Sequence, residues 1–168
     1  MIQAIVYSSN TGFTAQYAAM LAEKTGLPAY ALADAAGQVA DGGDILYLGW
    51  LMASKVNGYA KAAKKYRVAA LCGVGMGASG TQIPEIRKAE ALPETMPVFT
   101  VQGGFDMKKL HGVYKLMMLV MKNTAGKSLA KKQNRTPDED DMLDLLLNGG
   151  SRVKEENLAD MLAWFHAQ

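Results

Sequence analysis

Three hydroxyl side chains and a glycine lie together near the start of the chain, in the hexapeptide Ser9-Asn10-Thr11-Gly12-Phe13-Thr14. Hydroxyls and backbone N–H groups donate hydrogen bonds to phosphate, and a glycine lets the backbone approach the anion closely. No lysine follows the glycine, which distinguishes the segment from the Walker phosphate loop. This turn also lacks the spaced glycines of a dinucleotide-binding loop. The hexapeptide therefore predicts a site that holds phosphate through neutral hydrogen bonds, with an ordinary capped helix as the alternative.

The residues around the hexapeptide predict a strand before it and a helix after it. Residues 2–7 are rich in β-branched and aromatic side chains, as in a buried strand. Apolar residues recur at helical spacing from Phe13 to Leu21, and Gly26 followed by Pro28 predicts the end of that helix. A helix N-terminus carries free N–H groups and the positive end of the helix dipole, and both attract an anion.

Strand and helix patterns alternate along most of the chain. Further strands are predicted at 29–32, 45–48, 68–72 and 97–101, with helices at 56–63 and 81–91. This alternation predicts an α/β fold with a doubly wound parallel sheet of five strands, helices on both faces and extra C-terminal helices. Ligands of such sheets bind beyond the carboxyl ends of the strands, which is where the hexapeptide lies.

The last third of the chain is predicted to be helical. Residues 110–122 form a methionine-rich helix that we expect in the core, with contact to a partner or to a membrane surface as the alternative. Residues 127–137 are polar and basic and predict an exposed connection. Thr136-Pro137 is typical of a helix start, and residues 153–167 form the last predicted helix.

Length and composition favour one domain over residues 1–168, with a helical segment at about 106–135 and C-terminal helices at about 137–167. A formal charge of +2 gives no reason to expect nucleic-acid binding. The single cysteine, Cys72, excludes an intrachain disulfide and fits a reducing compartment. The N-terminus lacks the features of a signal peptide, so we expect a cytoplasmic location.

Two segments that follow later strands could hold a ring system. Gly49-Trp50-Leu51-Met52-Ala53 is an apolar segment after the third strand, able to cover a planar ligand. Gly73-Val74-Gly75-Met76-Gly77-Ala78-Ser79-Gly80 follows the fourth strand, and its glycines let the backbone approach a ligand edge. Alternatively, Gly75-x-Gly77-x-x-Gly80 is a fingerprint for NAD(P). That fingerprint normally follows the first strand of its sheet, whereas three strands precede it here.

The pattern Ser9-x-Thr11-Gly12-x-Thr14 resembles the FMN-phosphate loop of flavodoxins, at the same place after the first strand. In that family the two later loops enclose the flavin ring. The resemblance implies a flavodoxin-like fold, with FMN phosphate held by residues 9–14 and the ring held by two further groups. These groups are Trp50, Leu51, Met52 and Ala53, and Gly73, Val74, Gly75, Met76 and Gly77.

A narrower resemblance follows the fifth strand. Val101-Gln102-Gly103-Gly104-Phe105, with residues 114–122 and 125–127, is similar to bacterial menaquinone-dependent protoporphyrinogen oxidases. Those enzymes are flavodoxin-like with an apolar, basic insertion at this point, and the resemblance implies two-electron chemistry with a quinone or similar acceptor. It also adds Gly103 to the cofactor site. Residues 106–112 depart from that family because they lack most of its arginine and aromatic residues.

Three hypotheses for function therefore remain at this stage. The chain is an FMN-dependent oxidoreductase with a quinone or porphyrinogen-type substrate, an electron carrier that docks a redox partner protein, or a cofactor-free interaction module. Peripheral membrane contact through residues 110–122 is compatible with the first. The oligomeric state cannot be read from the sequence.

Overall fold

The computed structural model describes residues 1–168. The strands are β1 (Ala4–Ser8), β2 (Ala29–Ala31), β3 (Asp44–Met52), β4 (Lys55–Val56), β5 (Arg67–Gly75), β6 (Val98–Gln102), β7 (Gly104–Phe105) and β8 (Gly150–Ser151). The α-helices are α1 (Phe13–Thr25), α2 (Tyr59–Ala63), α3 (Ile83–Ala89), α4 (Gly112–Met121), α5 (Lys127–Lys131), α6 (Pro137–Asn148) and α7 (Ala159–His166). A π-helical turn, Lys122–Gly126, joins α4 to α5, and a 3₁₀ turn, Glu155–Leu158, precedes α7.

Five strands form one parallel sheet in the order β2-β1-β3-β5-β6, so the α/β class and all five predicted strands are confirmed. The chain moves outward from β1 to β2 on one side, then crosses β1 to continue with β3 on the other. Strand β4 folds back on β3 as an antiparallel hairpin, and β7 pairs with β8 in a separate small ribbon. The carboxyl ends of β1 and β3 consequently lie side by side, with Ser8 paired to Gly49.

Alternating side chains of the strands pack against helices on the two faces of the sheet. Ile5 belongs to a cluster with Tyr17 and Leu21 of α1 and with Met161 of α7. Its neighbour Val6 points the other way, into a cluster with residues of α2 and α3. This period-two alternation is what a sheet covered on both faces requires. Gly26 ends α1 in the left-handed conformation, as the sequence predicts.

Residues 106–148, which we call the arm, leave the sheet and return to it; the rest of the chain is the body. The arm contains α4, the π turn, α5 and α6. Within it, α4 buries none of its residues, so the expectation that the methionine-rich helix lies in the core is wrong. Residues 127–131, expected in an exposed connection, are helical. No helix of the chain combines the length and the apolar character needed to cross a membrane.

Two other boundaries differ from the sequence prediction. Residues 49–52 and 73–75, expected in loops, continue β3 and β5. Both segments consist of glycines and bulky apolar residues, and such a short run does not show where a buried strand ends. The extension matters for the site, because it carries β3 and β5 beyond the end of β1 and makes them walls of a cavity.

Candidate functional site

The hexapeptide forms the turn between β1 and α1. Gly12 has a φ of +99° and is the residue that caps α1. The hydroxyl oxygen of Ser9 accepts hydrogen bonds from the backbone N–H of Gly12 at 3.2 Å and of Ala15 at 3.4 Å. Ser9 therefore organises the turn from within. The N–H groups of Phe13 and Thr14 are in the first turn of α1, where no intrahelical acceptor exists.

Thr14 is the most informative polar residue of this turn. It is only 2% exposed, and its hydroxyl is not engaged in any hydrogen bond within the protein. Every fully buried side-chain oxygen or nitrogen in this structure has a hydrogen-bond partner. Because the Thr14 hydroxyl has none, the small exposed part of this residue includes its hydroxyl oxygen. Thr14 lines the cavity described below, together with Asn10 and Thr11. An accessible hydroxyl without a protein partner, on the wall of a cavity, is available to donate a hydrogen bond to a ligand acceptor.

The β3–β4 hairpin forms a second wall. Its turn consists of Ala53 and Ser54, both at positive φ, 49° and 63°. Two-residue turns of this kind favour Asn-Gly, because the left-handed region costs other residues about 1 kcal/mol or more each. The hairpin lies close over the sheet at Gly49, where a Cβ would be 2.6 Å from Cγ1 of Val56. The chain thus maintains a strained, tightly packed hairpin beside the end of β1.

Leu51 lies over two glycines of the neighbouring strand. A Cβ on Gly73 would be 2.8 Å from Cδ2 of Leu51, and one on Gly75 would be 3.0 Å from its Cδ1. These glycines therefore make room for a leucine. Gly103 serves packing as well, because its Cβ would be 2.7 Å from Cγ1 of Val74. Its N–H donates to the carbonyl of Gly75 at 2.7 Å.

The two walls and the arm enclose a cavity of about 680 Å³ at the carboxyl ends of β1 and β3. Pockets for small molecules and cofactors have volumes of about 300–1,000 Å³. Fifteen of its 22 lining residues are hydrophobic, so the interior is apolar apart from the hexapeptide end. Its only charged lining residue is Asp106, whose Oδ1 accepts from the N–H of Lys108 at 3.0 Å. Any anion here must be held by neutral donors and the α1 dipole.

Helix α4 closes the cavity opposite the hexapeptide. Tyr114 meets Trp50 edge to face, with ring centroids 5.1 Å apart and planes at 88°. Such a pair contributes about 0.5–1.5 kcal/mol beyond the area it buries. Further along the same helix, Met117, Met118 and Met121 line the cavity with flexible apolar side chains. The aromatic pair connects the body to the arm at the cavity wall.

A polar cluster connects the returning end of the arm to the sheet. The amide of Gln102 donates to the carbonyl of Met76 at 3.0 Å and to Oδ2 of Asp141 at 2.5 Å. Arg152 donates to Oδ1 of Asp141 at 2.8 Å and to Oδ2 of Asp144 at 2.7 Å. Hydrogen bonds from the Asn148 amide and from Arg152 lower the pKa of Asp144, and the bonds to Asp141 and Asp144 raise the pKa of the Arg152 guanidinium. Asp141 is therefore part of the connection between arm and body.

The sequence-predicted site residues are partly brought together. Those that line the cavity are Asn10, Thr11, Phe13, Thr14, Trp50, Leu51, Met52, Ala53, Val74, Gly75 and Met76. Ser9, Gly12, Gly73, Gly77 and Gly103 lie outside the lining and act in turns or packing. Cys72 is fully buried in β5, which raises the pKa of its thiol to about 12, so it is an inert core residue.

Sequence reasoning missed the wall formed by the arm. Phe105, Asp106, Leu110 and several residues of α4, Tyr114 among them, line the cavity without having been predicted to do so. No local pattern indicates this wall, because it depends on long-range contacts such as the one between Trp50 and Tyr114. Searches of protein-family models, curated proteins and solved structures find no match for this chain.

Proposed function

We propose that this chain has a flavodoxin-like fold, binds FMN noncovalently and acts as an oxidoreductase on a small organic substrate. The observation that carries the proposal is the composition of the cavity, which has a hydroxyl-rich helix start at one end and an apolar interior beyond it. The order of the five parallel strands supports it, since in flavodoxin-like sheets FMN binds where the strand order reverses, between β1 and β3.

The residues present fit FMN. Thr14 and Thr11 would hydrogen-bond the phosphate through their hydroxyls, and the N–H groups at the start of α1 would add to them. Trp50 and Met52 would lie against the ring, and Met76 would contact it from the β5 side. When bound, FMN would supply hydride or electron transfer, while the protein supplies orientation and exclusion of water.

An organic substrate fits this site better than a docked redox protein. The arm covers the cavity with apolar side chains such as Met117 and Met121, and the volume extends along them. A carrier that only passes electrons to a protein has no need of such a space. A quinone or another flat, weakly polar molecule would fill it, in keeping with the resemblance to menaquinone-dependent enzymes.

The decisive experiment is an absorption spectrum of the purified protein, followed by titration of flavin-free protein with FMN and with riboflavin. Yellow protein with resolved flavin bands is expected. Colourless protein that takes up neither flavin would refute the proposal. Rapid mixing of the reduced holoprotein with a quinone, and separately with a redox protein, then distinguishes an oxidoreductase from a carrier.

A matched series at Thr14 tests where the phosphate lies. Removal of a hydrogen bond to a charged group costs about 1.5–3 kcal/mol, so Thr14→Val should weaken FMN about tenfold to a hundredfold. Riboflavin, which lacks the phosphate, should bind Thr14→Val and the wild type alike. Thr14→Ser should retain FMN, and Thr25→Val, at the far end of α1, serves as the control. An equal loss for both flavins would place the phosphate elsewhere.

A further inference from the structure

The part of the arm from residue 107 to residue 137 carries an uncompensated positive charge. Residues 107–137 hold eight of the 18 lysines and arginines of the chain and none of its 16 acidic residues. Three of the eight form ion pairs with carboxylates just outside this stretch. Lys109 pairs with Asp106, Lys132 with Glu139 and Arg135 with Asp140. The other five, which have no ion-pair partner, are Lys108, Lys115, Lys122, Lys127 and Lys131.

The same arm exposes an apolar helix face. Seven large hydrophobic side chains of the chain are exposed, and five of them are on the ten residues of α4: Val113 (62%), Leu116 (62%), Met117 (45%), Leu119 (41%) and Val120 (55%). Val113, Leu116 and Val120 recur at i, i+3 and i+7, so they share one side of the helix. Soluble proteins seldom leave such a contiguous apolar surface uncovered.

The exposed face is continuous with the mouth of the cavity. Leu116, Met117 and Val120 are exposed and also line the cavity, so they form its rim. Val113 and Leu119 are exposed without lining it. A ligand in the cavity could therefore cover part of this face, while Val113 and Leu119 would still face outward.

We propose that the arm lies on the surface of an anionic lipid bilayer. The apolar face of α4 would enter the headgroup region, and the unpaired lysines outside α4, Lys127 and Lys131 among them, would contact lipid phosphates. A surface-lying helix with apolar residues on one side and lysines around them binds in this way. Ten residues make a helix of about 15 Å, half of the roughly 30 Å hydrocarbon layer, so α4 can lie in the interface and cannot span it.

The composition of the face favours lipid over a protein partner. Protein interfaces concentrate their binding energy in tryptophan, tyrosine and arginine, and lysine is depleted there. Here the exposed apolar residues are aliphatic or methionine, and seven of the eight basic residues are lysines. Single-stranded nucleic acid, which also attracts basic segments, is bound by stacking on aromatic side chains, and the five exposed apolar residues of α4 include none.

The test is co-sedimentation of the full chain with phosphatidylcholine vesicles, with and without phosphatidylglycerol, in the presence and absence of FMN. The protein should bind the vesicles that contain phosphatidylglycerol and not the neutral ones. Raising the salt to about 1 M, where the Debye length is about 3 Å, should weaken the binding strongly. This measurement does not depend on flavin, so its failure and that of the proposed function are distinguishable.

Two pairs of variants separate charge from apolar insertion. Lys127→Gln/Lys131→Gln removes two unpaired charges and should lower vesicle binding about tenfold or more, since each lysine near such a surface contributes about 1 kcal/mol. The control, Lys61→Gln/Lys64→Gln, removes two exposed lysines of the body and should change little.

Val113→Gln/Leu119→Gln should also reduce binding about tenfold or more while the cavity lining is left intact. Leu147→Gln, exposed at 52%, is its control.

Three outcomes would overturn the proposal. The first is equal binding to neutral and anionic vesicles, or to neither. The second is anionic binding that Val113→Gln/Leu119→Gln leaves unchanged, because the apolar face would then have no part in it. The third is self-association in sedimentation velocity that the same double variant abolishes, without vesicle binding, which would make a second copy of the chain the occupant. Far-UV circular dichroism shows whether each variant is folded.

Discussion

The body of the molecule buries side chains on both faces of its sheet, in two clusters of twelve residues each. The arm, by contrast, holds only four of the 35 buried residues: Leu110, Gly126, Leu145 and Leu146. Both regions contribute walls to the same cavity, with the hexapeptide in the body and α4 in the arm. The body owes its shape to packing in these large clusters, whereas the arm is attached by a small cluster of three buried residues, Phe105, Leu110 and Leu145, and by a few polar and aromatic contacts. Regions that are attached by few contacts, such as the arm, unfold locally at a lower cost in free energy than a packed core.

The largest effect should come from the core of the body. Leu71 is completely buried in β5, so Leu71→Ala should lower the free energy of unfolding by about 2–5 kcal/mol through lost burial and a cavity. Leu116→Ala makes the same change on the exposed face of α4 and should cost less than about 0.5 kcal/mol. Urea unfolding of both variants measures the difference. Equal losses would mean that the arm is as firmly packed as the body.

The next effect should be confined to the connection between the two regions. Arg152→Ala removes the ion pairs to Asp141 and Asp144, which are half-exposed and therefore partly screened by solvent. We expect about 1 kcal/mol, or roughly fivefold faster hydrogen exchange in α6, with β1 and β3 unaffected. Lys154→Ala, an exposed neighbour, is the control. Faster exchange throughout the sheet would show that the connection stabilises the body as well.

A similar but more local effect is expected at the start of α6. The hydroxyl oxygen of Thr136 accepts from the N–H of Glu139 at 3.2 Å, and Oε2 of Glu139 accepts from the N–H of Thr136 at 2.9 Å. Thr136→Ala breaks this capping box and should cost about 1 kcal/mol of helix stability, whereas Thr136→Ser should retain it. Hydrogen exchange at the first turn of α6 measures it. An unchanged exchange rate in Thr136→Ala would show that tertiary contacts hold this end.

The smallest effect concerns a surface ion pair of the body. Arg67 and the N-terminal amino group beside Asp44 lower the pKa of its carboxyl to about 2 from an ordinary 3.8. A carboxyl whose pKa is lowered on folding stabilises the folded state at pH values above its ordinary pKa. This contribution is lost as the pH falls from about 4 to about 2. Wild type should therefore exceed Asp44→Asn slightly in stability at pH 6. The gap should close near pH 2, and a constant gap would indicate a non-ionic role.

The sequence predicts the body much better than the arm, for a physical reason. A strand followed by a capped helix is a local pattern, so β1, the hexapeptide and α1 are correctly predicted from the residues that form them. In the arm, helix α6 is predicted as well, because its start at Thr136-Pro137 is also a local pattern. The position of α4 depends on long-range contacts such as the one between Trp50 and Tyr114, which no local pattern contains.

The candidate site, too, is predicted only in part. The hexapeptide end was predicted from residue types, and it lines the cavity with Asn10, Thr11 and Thr14. The glycines of residues 73–80 were expected to face a ligand, yet two of them accommodate Leu51. A missing side chain leaves space, and sequence alone does not say whether a ligand or a neighbouring residue fills it.

The packing of Leu51 on Gly73 and Gly75 makes the depth of the cavity depend on one residue. With leucine in place, much of the floor beside β5 is a hydrocarbon surface, and the main chain at Gly73 does not line the cavity. Shortening the side chain to alanine would move the floor down to the main chain itself. A bulkier ligand, or one with a polar edge to match carbonyl and amide groups, would then gain a place that the natural protein excludes. The depth of this cavity is thus adjustable at a single position, without altering the sheet.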